Sequence, residues 1–192
     1  MEQDNFVRNA LKNFKGYSQL PSSPEGKTAD FIYSYLDLHK YVKKLKPKNI
    51  LEVGFNAGHS ACCFLNAYPE TSMVSFDICR HGCEHTALNV LKKFFNITLI
   101  EGDSTVTIPE WKKNNDVKFD FIFIDGGHTY DVCCQDLKNT IPLLSDNGVM
   151  IVDDIWDERV LKAINEVVVD PMCFSYFKNE VKFAIIKKRT IL

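Results

Sequence analysis

Acidic residues recur at one kind of position in this chain, the end of a short apolar run. Glu52, Asp77, Asp103, Asp125 and the pair Asp153-Asp154 all stand there. Acids cap helices and favour helix N-termini, which accounts for one or two of them. It accounts poorly for all five places, least of all for two adjacent aspartates, whose charges repel unless something positive lies between them. Beside the acids lie small and proton-carrying residues: Gly54 and Gly58 after Glu52, Gly102 and Ser104 around Asp103, and Gly126, Gly127 and His128 after Asp125.

The stretch ILEVGFNAGHS (Ile50 to Ser60) indicates what such acids would address. Its glycines are spaced Gly-x-x-x-Gly, without the tight G-x-G-x-x-G turn that cradles a pyrophosphate. The first glycine allows a sharp turn, and the second would let a ligand approach a helix start. An acid just before a phosphate would be repulsive, so Glu52 argues for a ligand bearing positive charge or hydroxyl and amine donors. Asp77 can accept two hydrogen bonds from a ribose, and Asp103 and Ser104 can address an adenine edge. A nucleoside that carries an amino acid and no phosphate satisfies all three, which is the chemistry of S-adenosylmethionine.

The elements that must position these residues alternate. FVRNALKNF and KTADFIYSYLDLHKYVKKL have apolar residues at helical spacing, with the PSSPEG loop between them. NILEV, SMVSFDI, ITLIEG, KFDFIFID and GVMIVDDI read as strands. HSACCFLNAY, HTALNVLKKFF, TYDVCCQDLKNTIPLL and ERVLKAINEVV read as helices, and MCFSYFKNEVKFAIIKK reads as two strands around Lys178-Asn179-Glu180. Strands alternating with helices imply crossovers, hence a parallel sheet covered on both faces, and near-continuous apolar strands agree with burial on both sides. The expectation is an α/β, Rossmann-like, doubly wound, mostly parallel sheet of seven strands that ends in an antiparallel hairpin. In such a sheet ligands bind beyond the carboxyl ends of the strands, where the acids are. The whole chain, 1–192, reads as one domain, with residues 1–46 as N-terminal helices covering the cofactor site.

These residues together resemble a family. LEVGFNAGHSA matches the acid-x-Gly-x-x-x-Gly motif of class I S-adenosylmethionine-dependent methyltransferases, and the likeness runs from about Ser22 onward with Asp77, Asp103 and FDFIFIDGGHTY in register. Gly58-His59-Ser60-Ala61 is similar to the small metal-dependent O-methyltransferases of the catechol and caffeoyl-CoA type, where the serine contacts the methionine carboxylate. SSPEGKTADFI resembles the segment that helps cover the cofactor in that group. The resemblance implies cofactor contacts from Ser23, Glu52, Gly54, Phe55, Asn56, Gly58, Ser60, Asp77, Ile78, Gly102, Asp103, Ser104 and Asp125. IDGGHTYDVCCQDLKNTIPLLSDNGVMIVDDI resembles the branch that methylates sugars, including macrolide sugars. There, residues at the Asp125, Asp153 and Asp154 positions hold magnesium, whereas the catechol type has Asp-Asn in place of the acidic pair. Some members of the sugar branch carry, three residues after the first metal aspartate, a histidine proposed as general base, and His128 stands at that spacing.

The expected reaction is attack of a substrate oxygen on the sulfonium methyl, with Asp125 and His128 as the catalytic residues. Three carboxylates suit a hard divalent ion such as Mg2+, which can chelate two neighbouring oxygens and stabilise the developing alkoxide. His128 can take the proton, or it can be only a helix-capping histidine. Asp125 can be a metal ligand or only a cofactor-side acid. A small molecule is the expected acceptor, first a sugar hydroxyl, on a nucleotide-linked sugar or otherwise, and second a catechol-like phenol. Trp156, Tyr130 and Phe55 are candidates for the acceptor pocket or for plain packing. Without long insertions, the pocket is either open or completed by the second subunit of a homodimer. Two other classes are a protein that binds the cofactor without turnover and a nicotinamide-dependent oxidoreductase. The metal acids and His128 count against the first; Glu52 and the glycine spacing count against the second.

The bulk properties exclude other roles. The chain has 192 residues, 45% hydrophobic, with a net charge of −2, which gives one full core and no basic field for nucleic acid. The KKLKPK and KKR lysines read as a solvated helix end and tail. Seven cysteines, two pairs of them adjacent, read as reduced thiols rather than a disulfide framework. Cys79, His81, Cys83 and His85 alternate in CRHGCEH; zinc ligands more often come as two separated pairs, so this reads as a loop. No cleavage signal or membrane-length span is visible, so the expectation is a cytoplasmic protein with no membrane partner.

Overall fold

The computed structural model describes residues 11–23, 32–168, 174–178 and 183–188. The strands are β1 (Asn49–Val53), β2 (Ser72–Asp77), β3 (Asn96–Glu101), β4 (Phe119–Ile124), β5 (Leu144–Val152), β6 (Phe174–Lys178) and β7 (Ala184–Lys188). The helices are α1 (Ile32–Leu45), α2 (His59–Ala67), α3 (Glu84–Leu91), α4 (Ser104–Lys113), α5 (Tyr130–Thr140) and α6 (Glu158–Val167). One sheet orders the strands β3-β2-β1-β4-β5-β7-β6. Six strands point one way, and β7 runs antiparallel to both its neighbours. Residues 24–26 of the predicted PSSPEG loop, most of the first predicted helix, the first five residues of the second (27–31) and the Asn179-Glu180 turn lie outside the described residues.

Alternation along the central strands explains the two-sided core. Ile50, Phe121, Phe123, Val149 and Ile151 pack on one face with α1, α2 and α3. Leu51, Val53, Ile122, Ile124, Met150 and Val152 pack on the other with α5 and α6. A period of two that is apolar at both phases is what burial on both faces requires. Phe64 of α2 meets Phe121 and Phe123 edge-on, with ring centroids 5.1 and 5.2 Å away. Truncating a buried phenylalanine of this kind to alanine costs about 3–5 kcal/mol.

Two boundaries depart from the sequence reading. α4 was not foreseen: its apolar positions are sparse and Pro109 stands inside it. Asp103 starts it by accepting the backbone N–H of Thr105 at 2.9 Å. Proline removes the N–H that would bond the carbonyl of Thr105, and Asn139 of α5 reaches that carbonyl instead, Nδ2 to O 3.4 Å. The helix predicted through Leu144 ends at Thr140 and gives way to a 3-10 turn, Ile141–Leu143, that holds Pro142.

The order of the strands places the site. β1 pairs with β2 on one side and with β4 on the other, so the chain's crossovers diverge there and open a crevice at the carboxyl ends. Gly54 is what lets the two edges of that crevice close up. Its φ is +93°, and a Cβ built on it would stand 2.0 Å from the Asp125 carbonyl oxygen.

Candidate active site

A cavity of about 840 Å3 opens at the carboxyl ends of β1, β2, β3, β4 and β5. Its lining includes Ser23, Gly54, Phe55, Asn56, Ser60, Asp77, Ile78, Gly102, Asp103, Ser104, Asp125, His128, Asp153 and Asp154. Most of the residues singled out in the sequence therefore meet in one place. A smaller depression, about 360 Å3, is lined by residues 112–118 and Leu143 and carries none of them.

Each residue's role follows from its partners. Asp77 binds the turn after β1: its Oδ2 accepts the backbone N–H groups of Phe55 and Asn56 at 2.7 and 2.9 Å, and its Oδ1 accepts that of Cys79 at 2.7 Å. Ser23 reaches the same turn, Oγ to Asn56 Oδ1 3.2 Å. Asn56, Cys79 and Asp154 all have positive φ, a conformation that non-glycine residues adopt only when their surroundings hold them. Three of the four non-glycine residues with positive φ among the described residues thus stand at the strand ends beside the cavity, Lys46 before β1 being the fourth.

Two expected cofactor residues do not line the cavity. Glu52 is 0% exposed and lies under the floor, where Ser60 Oγ donates to its Oε1 at 2.6 Å and Ser75 Oγ to its Oε2 at 2.7 Å. Burial pushes its carboxyl up to about 7, and the two serine hydroxyls hold it from going further. Gly58, with φ +74°, faces α3 instead of a ligand. A Cβ there would meet Ala87 and Phe55 at 3.1 Å and Leu91 at 3.3 Å, so its small size serves helix packing. Ser60 does line the cavity, with its hydroxyl proton committed to Glu52. Phe55 is 1% exposed and mainly packs. Tyr130 lies elsewhere, its hydroxyl on Glu166 and Lys162 over its ring.

A second corner of the cavity is formed by the ends of β4 and β5. Asp125, His128 and Asp154 bring one ligand atom each within 4.8 Å of one another. His128 Nε2 is 2.9 Å from Asp154 Oδ2 and 4.0 Å from Asp125 Oδ1. The hydrogen bond to Asp154 raises the His128 pKa above its ordinary value, partial burial works against it, and the charges of Asp153 and Asp157 add to it. Asp153 lines the cavity but stands outside that trio, with its Oδ1 accepting the backbone N–H of Asp154 at 2.7 Å. Trp156, 67% exposed on the rim, donates its indole N–H to Asp154 Oδ1 at 2.8 Å.

Other residues of the cavity were not foreseen. Arg80, His59 and Phe183 line it. Arg80 follows three residues after the acid that ends β2, a signal open to reading; Phe183 comes from beside β7, and nothing local marks it. Asp136 of α5 lies just behind the lining. It is fully buried, neither carboxyl oxygen has a hydrogen-bond partner among the described residues, and burial pushes it up to about 7. The nearby Ser104 side chain holds it from going further.

Comparison with known proteins fits this geometry. No curated protein matches the chain by sequence. The chain superposes on the SAH-bound methyltransferase PaMTH1 of Podospora anserina with a TM-score of 0.70 at 18% identity, covering 98% of this chain and 87% of that one. A structure described as a putative caffeoyl-CoA O-methyltransferase from Staphylococcus aureus gives 0.71 at 16% identity, over 98% and 100%. The methyltransferase MycE of the mycinamycin biosynthetic pathway, solved with Mg, SAH and mycinamycin VI, gives 0.62 at 14% identity over 80% of this chain and 48% of that one. These likenesses establish the fold. The family whose sequence profile carries the description "Methyltransferase domain" matches residues 51–155, more than half of the chain, and the chain belongs to that methyltransferase family.

Proposed function

We propose that the protein is an S-adenosylmethionine-dependent, divalent-metal-assisted O-methyltransferase acting on a small molecule, with a sugar hydroxyl as the first candidate acceptor. The observation that carries the reading is the junction of two half-sites in one cavity. The turn 54–56 clamped by Asp77 lies on one side, and the Asp125, His128 and Asp154 corner lies on the other. When bound, S-adenosylmethionine supplies the methyl group. A divalent cation, when bound, supplies charge stabilisation to the oxygen that becomes anionic. Asp125 and Asp154, with Asp153 adjoining, are the residues that would hold that cation, and their oxygen-rich chemistry suits a hard ion.

His128 is the group placed to move the proton. With Nε2–H donating to Asp154, the neutral ring keeps its lone pair on Nδ1, so Nδ1 is the atom that accepts the acceptor's hydroxyl proton. Asp154 then steadies the imidazolium, in keeping with the raised pKa. His128→Ala is expected to lower turnover about a hundredfold or more while leaving S-adenosylmethionine affinity unchanged in calorimetry. A variant that keeps native turnover and merely melts earlier would make His128 a structural cap.

Trp156 offers a surface for the acceptor. Its indole is exposed on the rim and fixed by Asp154, which offers a flat apolar face against the C–H side of a sugar ring. A catechol-like phenol could stack on the same face, so the test includes both classes. Nucleotide sugars and phenols are incubated with S-adenosylmethionine and magnesium, and mass spectrometry reads one added methyl. Methylation of a nucleotide sugar that stops in excess chelator supports the proposal. Methylation of phenols alone replaces the substrate, turnover undiminished by chelator removes the metal, and cofactor binding without transfer to any acceptor makes the protein a binder.

A further inference from the structure

A second group of metal-binding side chains assembles where the sequence suggested only a loop. Cys79 lies just past β2, His85 in the first turn of α3, and Glu101 at the end of β3. Each offers one ligand atom, and the three atoms lie within 4.8 Å of one another. His85 Nε2 is 3.1 Å from Glu101 Oε2. The parallel pairing of β2 with β3 sets Asp77 opposite Glu101, and so brings in a ligand that local spacing does not show. His81 and Cys83, the other metal-type residues of CRHGCEH, are not in the group.

We propose that Cys79, His85 and Glu101 form a zinc-type transition-metal site on the rim of the cavity, separate from the oxygen-rich corner at Asp125. Thiolate, imidazole and carboxylate are zinc's own ligands, and three protein ligands leave a fourth position for water or an outside group. The bond lengths of such a site put its ligand atoms roughly 3.3–3.8 Å apart, so the trio needs to draw in by only about 1 Å. The side chains of His85 and Glu101 are 61% and 59% exposed, which leaves them room to turn. Cys79 is the fixed member, held at φ +57° with its N–H on Asp77 Oδ1.

The surroundings favour a cation. Burial first, and then the negative charges of Asp77, Glu101 and Glu84, keep Cys79 a neutral thiol in the metal-free protein, and the same charges attract a cation. Glu84 is fully buried; its Oε1 accepts the backbone N–H of His81 at 2.9 Å, while its Oε2 has no hydrogen-bond partner among the described residues. A buried carboxylate oxygen left that way calls for a nearby positive charge or a metal-bound water. A thiolate ligand selects a soft or borderline ion over magnesium or calcium. Such an ion would tie the ends of β2 and β3 to α3 and so steady the segment that carries Ile78 and Arg80 into the cavity lining.

The test uses the full chain stripped by a chelator and titrated with Co2+, then with Zn2+. One equivalent of Co2+ should give a thiolate-to-cobalt charge-transfer absorption in the near ultraviolet, and Zn2+ should displace it. Cys79→Ser should abolish the band, and Cys83→Ser and the double variant Asp125→Asn with Asp154→Asn should keep it. His85→Ala, an exposed change that spares the fold, should weaken Co2+ binding at least tenfold. Absence of the band, its survival in Cys79→Ser, its loss in Cys83→Ser, or unchanged affinity in His85→Ala would each overturn the site.

Discussion

At the residue scale, the acids that looked alike in sequence do different work. Glu52 is a buried post under the floor, fastened by two serines. Asp103 caps a helix, and Asp154 is tied to both a histidine and a tryptophan. Asp77 combines two tasks. It was expected to receive a ribose, and it lines the cavity where one would lie, yet three backbone N–H groups already converge on it. Replacing Asp77 therefore acts first on the turn. Asp77→Ala leaves those donors without their acceptor, and a hydrogen bond to a charged group is worth about 1.5–3 kcal/mol. Asp77→Asn keeps one oxygen but turns an NH2 toward donors. Both variants are expected to lose at least tenfold in S-adenosylmethionine affinity by calorimetry, and the asparagine should rescue little. An asparagine variant with native affinity would show that the carboxylate charge and its second acceptor are dispensable.

At the element scale, legibility followed the strength of the local signal. β1 and β4 were plain in sequence because near-continuous apolar runs, each broken by a single acid, have one good explanation, burial on both faces. The crevice between them followed from the alternation of strands and helices. α4 was missed because STVTIPEWKK carries a mid-helix proline and buries only Ile108, so neither periodicity nor propensity marks it. Its stability comes from a neighbour: Gln135 orients Asn139, Nε2 to Oδ1 2.9 Å, and Asn139 serves the carbonyl that Pro109 cannot. Pro109→Ala restores the missing N–H and should raise unfolding free energy by about 1 kcal/mol, since the helical gain outweighs the looser unfolded chain. Asn139→Ala should lower it by about 0.5–1 kcal/mol, and by less in the Pro109→Ala background. Denaturant unfolding of the two single variants and the double variant reads the coupling. Strict additivity would mean that the two residues do not share the Thr105 carbonyl.

At the scale of the whole molecule, the layers bury two acids whose carboxyls are pushed far from their ordinary range. Glu52 and Asp136 sit on opposite faces of the sheet, Glu52 beneath α2 and Asp136 on α5, and burial raises both carboxyls to about 7. Nothing in the sequence separates them from exposed acids, because burial is a property of the assembled layers. The consequence for stability has a definite sign. A carboxyl whose pKa is higher folded than unfolded binds more protons in the native state between the two values, so stability falls as pH rises through that window. For Glu52 the window runs from 4.5 to about 7, and for Asp136 from 3.8 to about 7. Asp157 works in the opposite sense. Arg159 holds it down to about 2, so its contribution is lost only in acid, below 3.8, outside the range that the two buried acids govern. Histidines titrate in the same range, so the test is the difference between proteins rather than the native curve alone. Glu52→Gln keeps acceptor and donor atoms for Ser60 and Ser75, and Asp136→Asn removes the charge from a site with no hydrogen-bond partner in contact geometry among the described residues. Each variant is expected to lose part of the decline in unfolding free energy between pH 5 and pH 8, roughly 3 kcal/mol at most for either acid, and the double variant should lose most of it. Parallel curves for native protein and double variant across that range would mean that both carboxyls ionise normally in the folded chain.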